Sequence, residues 1–245
     1  MADNIKILSS RRAYVFRPDD LRLTILSVPF IMDQIRQAFH FQVAGMGTPA
    51  ATFGVVPPTF PPGLAFDAGA WVSPDGHLTA IRLIHVEPQR IVIDVAGPSA
   101  AIDSIFNQLL SIAGAIEGSS GFPVIGEPER VLDYSEITAH FGFEVHDLLS
   151  DAAKAHFERL LASQISEANP SIIPTIQVQV GHLHEPYAGI VNPDPTLVQL
   201  TLRAATKPVD HIYLSSAPLN SEDHVAALQA LDTSLVEGPA TTRSR

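Results

Sequence analysis

Apolar and polar positions along this chain alternate between two periods, and the switches between them outline the elements. Residues 98–113 set Ile102, Ile105, Phe106, Leu109, Leu110 and Ala113 on one stripe and leave Asp103, Asn107 and Gln108 outside it, the mark of an amphipathic helix. Residues 29–40 do the same with Ile31, Ile35, Ala38 and Phe39. Pro29 opens that segment, where a missing N–H costs nothing. The spacing over 144–167 predicts a third helix with Val145, Leu148, Leu149, Ala152, His156, Leu160 and Ile165 on its buried side and Pro170 beyond its end. A fourth follows Asn220 or Ser221 as cap, with Glu222 and Asp223 in the first turn, where the helix dipole favours negative charge.

Between the helices the period falls to two. Residues 21–28, with Leu21, Leu23, Ile25 and Ser27 on one side, read as a strand, as do 41–44, 64–72, 131–143 and 175–184. Residues 78–86 and 90–96 form a hairpin around Glu87-Pro88-Gln89, and 197–205 with 209–215 form another around Lys207-Pro208. The order strand, proline-marked turn, strand, proline-opened helix thus occurs in 78–112 and again in 197–235, with Gly97-Pro98 and Ala217-Pro218 before the helices. Such an echo suggests internal duplication. The expected fold class is α+β: two related halves, each a mainly antiparallel sheet covered on one face by amphipathic helices. The expected units are an N-terminal half over 14–118, a Gly- and Ser-rich connector over 119–128, a C-terminal half over 129–237 and a polar tail over 238–245.

One stretch fits neither period. Residues 45–63 contain Pro49 and then Pro57-Pro58-Thr59-Phe60-Pro61-Pro62-Gly63, which excludes a helix interior or a central strand. Apolar side chains (Phe53, Val55, Val56, Phe60) argue against a solvated linker. The segment reads as a stiff arm, and Val55, Val56, Pro57, Pro58, Phe60, Pro61 and Pro62 are its candidate interaction residues. Laid over its own domain or against a partner subunit, it would bury the same groups.

Composition narrows the choices. Fifteen basic residues against 26 acidic ones give a formal net charge of −11, which opposes contact with a phosphate backbone. The locally basic stretch Arg11, Arg12, Arg17, Arg22 is diluted by Asp19 and Asp20 and reads as solvated surface, so no nucleic-acid partner is expected. The absence of cysteine removes disulfides, thiol nucleophiles, iron–sulfur clusters and Cys-ligated zinc. No apolar run is long enough to span a bilayer and the first residues do not resemble a signal peptide, so membrane insertion is not expected and the cytoplasm is the expected compartment.

Candidate chemistry is sparse. In His182-Leu183-His184-Glu185 the alternation of a strand puts both imidazoles on one face, half of a site for a divalent transition metal such as Zn, Cu, Ni or Fe. A third ligand would have to come from His85, His211 or Glu185. His140, Glu144, His146 and Asp147 cluster at a strand-to-helix junction, where carboxylates also serve the helix dipole alone. No nucleophile elbow, phosphate-binding loop or dinucleotide fingerprint is present, and no other cofactor is implied. Three functions stay open: a non-enzymatic binding or assembly protein that self-associates or docks a protein partner, a metal-dependent enzyme using His182 and His184, and a small-ligand protein with its pocket between the halves.

Overall fold

The computed structural model describes residues 2–47, 63–117, 123–143, 150–164, 175–179, 197–203, 206–207 and 210–236. The chain runs β1 (Asp3–Val15), α1 (Leu23–Leu26), α2 (Pro29–Ala38), β2 (Val43–Gly47), β3 (Gly63–Val72), β4 (Leu78–Glu87), β5 (Arg90–Ala96), α3 (Ala100–Glu117), β6 (Arg130–His140), α4 (Asp151–Gln164), β7 (Ile176–Gln179), β8 (Leu197–Leu202), β9 (Ile212–Ala217) and α5 (Ser221–Val236). The nine strands among the described residues belong to one antiparallel sheet, in the order β2-β3-β4-β5-β1-β6-β9-β8-β7.

This corrects the expectation of two related halves with a helix-covered sheet each. The cause is β1. Its thirteen residues pair with β5 from Ser10↔Val95 to Val15↔Arg90 and with β6 from Asp3↔His140 to Val15↔Arg130, so no sheet boundary exists at the centre of the molecule. The first fifteen residues carry Arg11 and Arg12 amid a weak apolar pattern, and their charge disguises a strand that is central. Arg11 Nε and Nη2 donate to Asp94 Oδ2 at 3.0 and 2.7 Å on one face, and Arg12 Nε donates to Asp133 Oδ1 at 2.7 Å on the other. Cross-strand pairing of this kind lets a charged residue occupy an interior strand.

A second correction concerns residues 21–28. Leu21 makes only an isolated bridge to Ile125, and Leu23–Leu26 turns into α1, closed by Ser27 Oγ donating to the Thr24 carbonyl at 2.9 Å. The alternation there coincides with a Leu23–Leu26 spacing that suits a helical turn, and burial of Leu26 settles which period wins. In α4, Ala152 and His156 are exposed, not part of a buried side.

α1, α2 and α3 pack on one side of β3, β4, β5 and β1. There Leu26, Ile31, Ile35, Ile102, Ile105 and Leu109 meet Leu64, Phe66, Ile84, Ile91 and Ile93 in the larger apolar cluster. Val124 and Ile125, beyond the end of α3, are buried in it too. α5 lies on the same side of the sheet over β6 and β9, where a smaller cluster gathers Ile137, Ala139, Phe141, Leu200, Tyr213 and Leu228. The first turns of α3 and α5 abut: the Ser99 backbone N–H donates to Ser221 Oγ at 2.9 Å, and the Ser221 N–H donates to Ser99 Oγ at 3.2 Å. Two sets of helix-end donors thus satisfy one another.

Candidate functional site

The residues singled out for interaction (Val55, Val56, Pro57, Pro58, Phe60, Pro61 and Pro62) and for metal binding (His182 and His184) lie outside the described residues, as do Glu185, Glu144, His146 and Asp147. Among the described residues no group of three or more His, Asp or Glu side chains could hold a metal ion. Of the remaining candidates, His140 Nδ1 lies 2.8 Å from Asp3 Oδ1 and its ring stacks 6.0 Å from that of His211, at the end of β6. His85 is elsewhere, buried in β4.

What the structure brings together is the sheet face opposite α1, α2, α3 and α5. Residues directly opposite in a ladder share a face. The registers therefore align Asp67, Leu83, Asp94, Arg11 and Tyr134 in one row across five strands. Ser9, Glu136, Ser216, Gln199 and Gln177 form a second row. Glu87, Arg90 and Val15 form a third, with Ala65, His85, Val92 and Ala13 beside it. Polar side chains dominate, and neighbouring ones bond.

Over β4 and β5 the face is buried and ionic. Arg90 Nε and Nη2 donate to Glu87 Oε2 and Oε1 at 3.0 and 2.8 Å, and His85 Nδ1 lies 3.1 Å from Glu87 Oε1. Burial alone would raise the Glu87 carboxyl, but the hydrogen bonds and charge of His85 and Arg90 outweigh it and hold it below the ordinary range. At Asp67 the balance reverses, and burial raises the carboxyl. The fork–fork geometry of the Arg90–Glu87 pair is the arrangement in which two buried charges satisfy each other best.

Over β1, β6 and β9 the same face opens. Ser9 Oγ donates to Glu136 Oε2 and Tyr134 OH donates to Glu136 Oε1, both at 3.0 Å, while the Arg11 guanidinium sits 5.9 Å from the centre of the Tyr134 ring. Burial, helped by the Glu136 charge, pushes the Tyr134 hydroxyl up to about 12, so it stays a donor. Tyr134, Glu136, Ser216 and Gln199 are half-buried and Gln177 is exposed. These groups can donate and accept hydrogen bonds to a surface laid on them.

The helix side holds one arrangement that does have the look of a catalytic relay. His224 Nδ1 is 2.8 Å from Ser135 Oγ and His224 Nε2 is 2.8 Å from Ser215 Oγ. Ser135 Oγ already donates to the Leu219 carbonyl at 2.8 Å, so it accepts from His224 Nδ1–H, and Ser215 donates to Nε2. Ser135, Ser215 and His224 are all buried under α5, and burial alone lowers the imidazole from 6.5 to about 4. With no access to solvent, these three groups fasten α5 to β6 and β9. A shallow groove of about 590 Å³ lies elsewhere, lined by Pro18, Leu21, Leu23, Thr24 and Pro88 among others. No family model, no curated protein and no solved structure matches this chain.

Proposed function

We propose that this chain is a binding or assembly protein without catalytic chemistry of its own, which self-associates or docks a protein partner. The observation that supports it best is the polar face of the sheet opposite α1, α2, α3 and α5, with Tyr134, Glu136, Ser216, Gln199 and Gln177 arrayed across β6, β9, β8 and β7. An antiparallel sheet with helices packed on one face can offer open parts of the other, here over β6, β9, β8 and β7, to solvent or to a partner. The arm residues Val55, Val56, Pro57, Pro58, Phe60, Pro61 and Pro62 supply an apolar, pre-stiffened segment, which loses little conformational entropy on docking. The cytoplasm, where a cysteine-free acidic chain meets no conflict, is the compartment that goes with this reading. No helix of the described residues is long and apolar enough to cross a membrane.

Sedimentation of the wild type beside a Phe60→Ser variant is the test. The wild type is expected to associate at micromolar concentration and the variant to shift toward monomer; a wild type monomeric at high micromolar concentration refutes self-association. The alternative of a metal-dependent enzyme rests on His182 and His184, and native mass spectrometry showing stoichiometric metal lost in the double Ala variant would favour it. A ligand pocket between halves has less support, since β1 and β6 pair along their length there.

A further inference from the structure

The buried residues of α5 are Ser221, His224, Leu228 and Asp232, a stripe in which three of the four are polar. Each polar member is tied to a different part of the molecule. Ser221 exchanges hydrogen bonds with Ser99 at the start of α3, and His224 bridges Ser135 of β6 and Ser215 of β9. Asp232 Oδ1 accepts the Gly142 N–H at 2.8 Å just beyond β6. Leu228 is the one fully buried apolar anchor, and Val225, Leu231 and Leu235 are only partly covered. The helix is fastened at three polar points along one seam, and the middle point is a neutral imidazole.

We propose that α5 is a latch, and that acidification opens it from the sheet by charging His224. In the closed helix the imidazole cannot take a proton without placing an unbalanced charge under α5. The ionisable groups on that side of the strands are Arg12 of β1 and Asp133 of β6, which bond each other, together with Tyr14 and Tyr213; Asp103 of α3 also bonds Arg12. On α5 itself Glu222 and Asp223 are exposed and Asp232 lies two turns further on. None of these charges contributes to the shift, which has burial as its single cause.

The sign follows from linkage. Above pH 6.5 the imidazole is neutral in both states and pH has no influence through it. Below 6.5 the opened form takes up a proton that the closed form refuses until about pH 4. The open population therefore rises by roughly tenfold per pH unit across that interval and levels off below it, for a total of about 300-fold. Opening uncovers Ile137, Ala139, Leu200 and Tyr213, so the acid form presents an apolar strip that the neutral form hides.

Hydrogen exchange followed by mass spectrometry at pH 7, 6 and 5, corrected for intrinsic rates, reads the latch on the full chain. The expected result is an opening constant for residues 221–236 that climbs about tenfold per pH unit below 6.5 while that of residues 100–115 does not change. Exchange in the two helices that responds to pH in parallel overturns the proposal. A His224→Gln variant is expected to lose the acid response, and retention of the full response overturns it as well. Should that variant fail to fold, an NMR titration of the wild-type imidazole decides: resistance to protonation down to about pH 4 supports the latch, and titration near 6.5 in the closed protein refutes it.

Discussion

α3 and α5 lie on the same side of one sheet and begin at the same place, their first turns clasped through Ser99 and Ser221. Beyond that point they diverge. α3 buries Ile102, Ile105, Phe106, Leu109 and Ala113, and Phe106 stacks on Tyr14 of β1 with ring centres 3.7 Å apart. α5 buries Ser221, His224, Leu228 and Asp232. One helix is held chiefly by apolar area, which is indifferent to direction and to pH. The other is held by hydrogen bonds that need particular atoms in particular protonation states. The contrast teaches that a continuous sheet does not impose uniform stability: the side under α1, α2 and α3 is the anchor, and the side under α5 is the part that can respond.

Truncation of a large side chain on each side breaks the comparison most sharply. Phe66→Ala, in the larger cluster, is expected to cost about 3–5 kcal/mol, whereas Leu228→Ala, in the smaller one, is expected to fall near the lower end of the usual range, about 2 kcal/mol. Denaturant unfolding with a common m-value checks both, and equal losses would remove the distinction between anchor and responsive side. Next in size is Arg12→Ala. Arg12 joins Asp133 of β6 and Asp103 of α3, and although burial opposes its charge, the bonds from these two carboxylates raise its proton affinity. Since Asp103 is largely exposed, the expected loss is about 2 kcal/mol, less than for a fully buried pair.

Asp232→Ala leaves the Gly142 N–H without its carboxylate and is expected to cost about 1–3 kcal/mol, with the loss concentrated in exchange protection of α5. The smallest effect sharpens the comparison at the point the helices share. Ser99→Ala and Ser221→Ala are each expected to cost about 1 kcal/mol, with a coupling of at least about 0.5 kcal/mol in the double-mutant cycle. Additive losses would mean that the two helix ends are satisfied independently.

Much of the anchor side was legible in the sequence because its signals are local. Pro29 ahead of Ile31 and Ile35, the stripe of α3, and the β4–β5 hairpin around Pro88 each lie within a short window and survive in the structure. Asn220 was legible as well: its Oδ1 accepts the Asp223 N–H at 2.8 Å, as a helix cap does. β1 was not, because what makes it a central strand is Asp94 and Asp133, which stand 83 and 121 residues from the arginines they neutralise. No window reads such a pairing. The expectation of two related halves, each a sheet covered by helices, failed with it.

The site was legible to a lesser degree. Tyr134 and Glu136 of β6, Gln199 of β8 and Ser216 of β9 carry no signal of their own until register aligns them into rows. The seam of α5 did leave a signal, since Ser221, His224 and Asp232 fall at the spacing of Leu228 on a helix. Polar residues at positions that the period assigns to the core are a mark of specific bonding, and here that mark precedes any knowledge of Ser135 or Ser215.

The position of β1 also bears on how the chain is made. Asp3–Val15 is made before both of its neighbours: β5 arrives some way later and β6 later still, after α3 has been made. For that interval a nascent chain carries an extended segment with both hydrogen-bonding edges vacant, the condition in which strands find wrong partners. Contacts so distant in sequence slow folding, because loop closure has to precede the stabilisation it brings. A chain cut between β5 and β6 would complete only one flank of β1, and a fragment starting after Val15 would lack the strand on which both sides close.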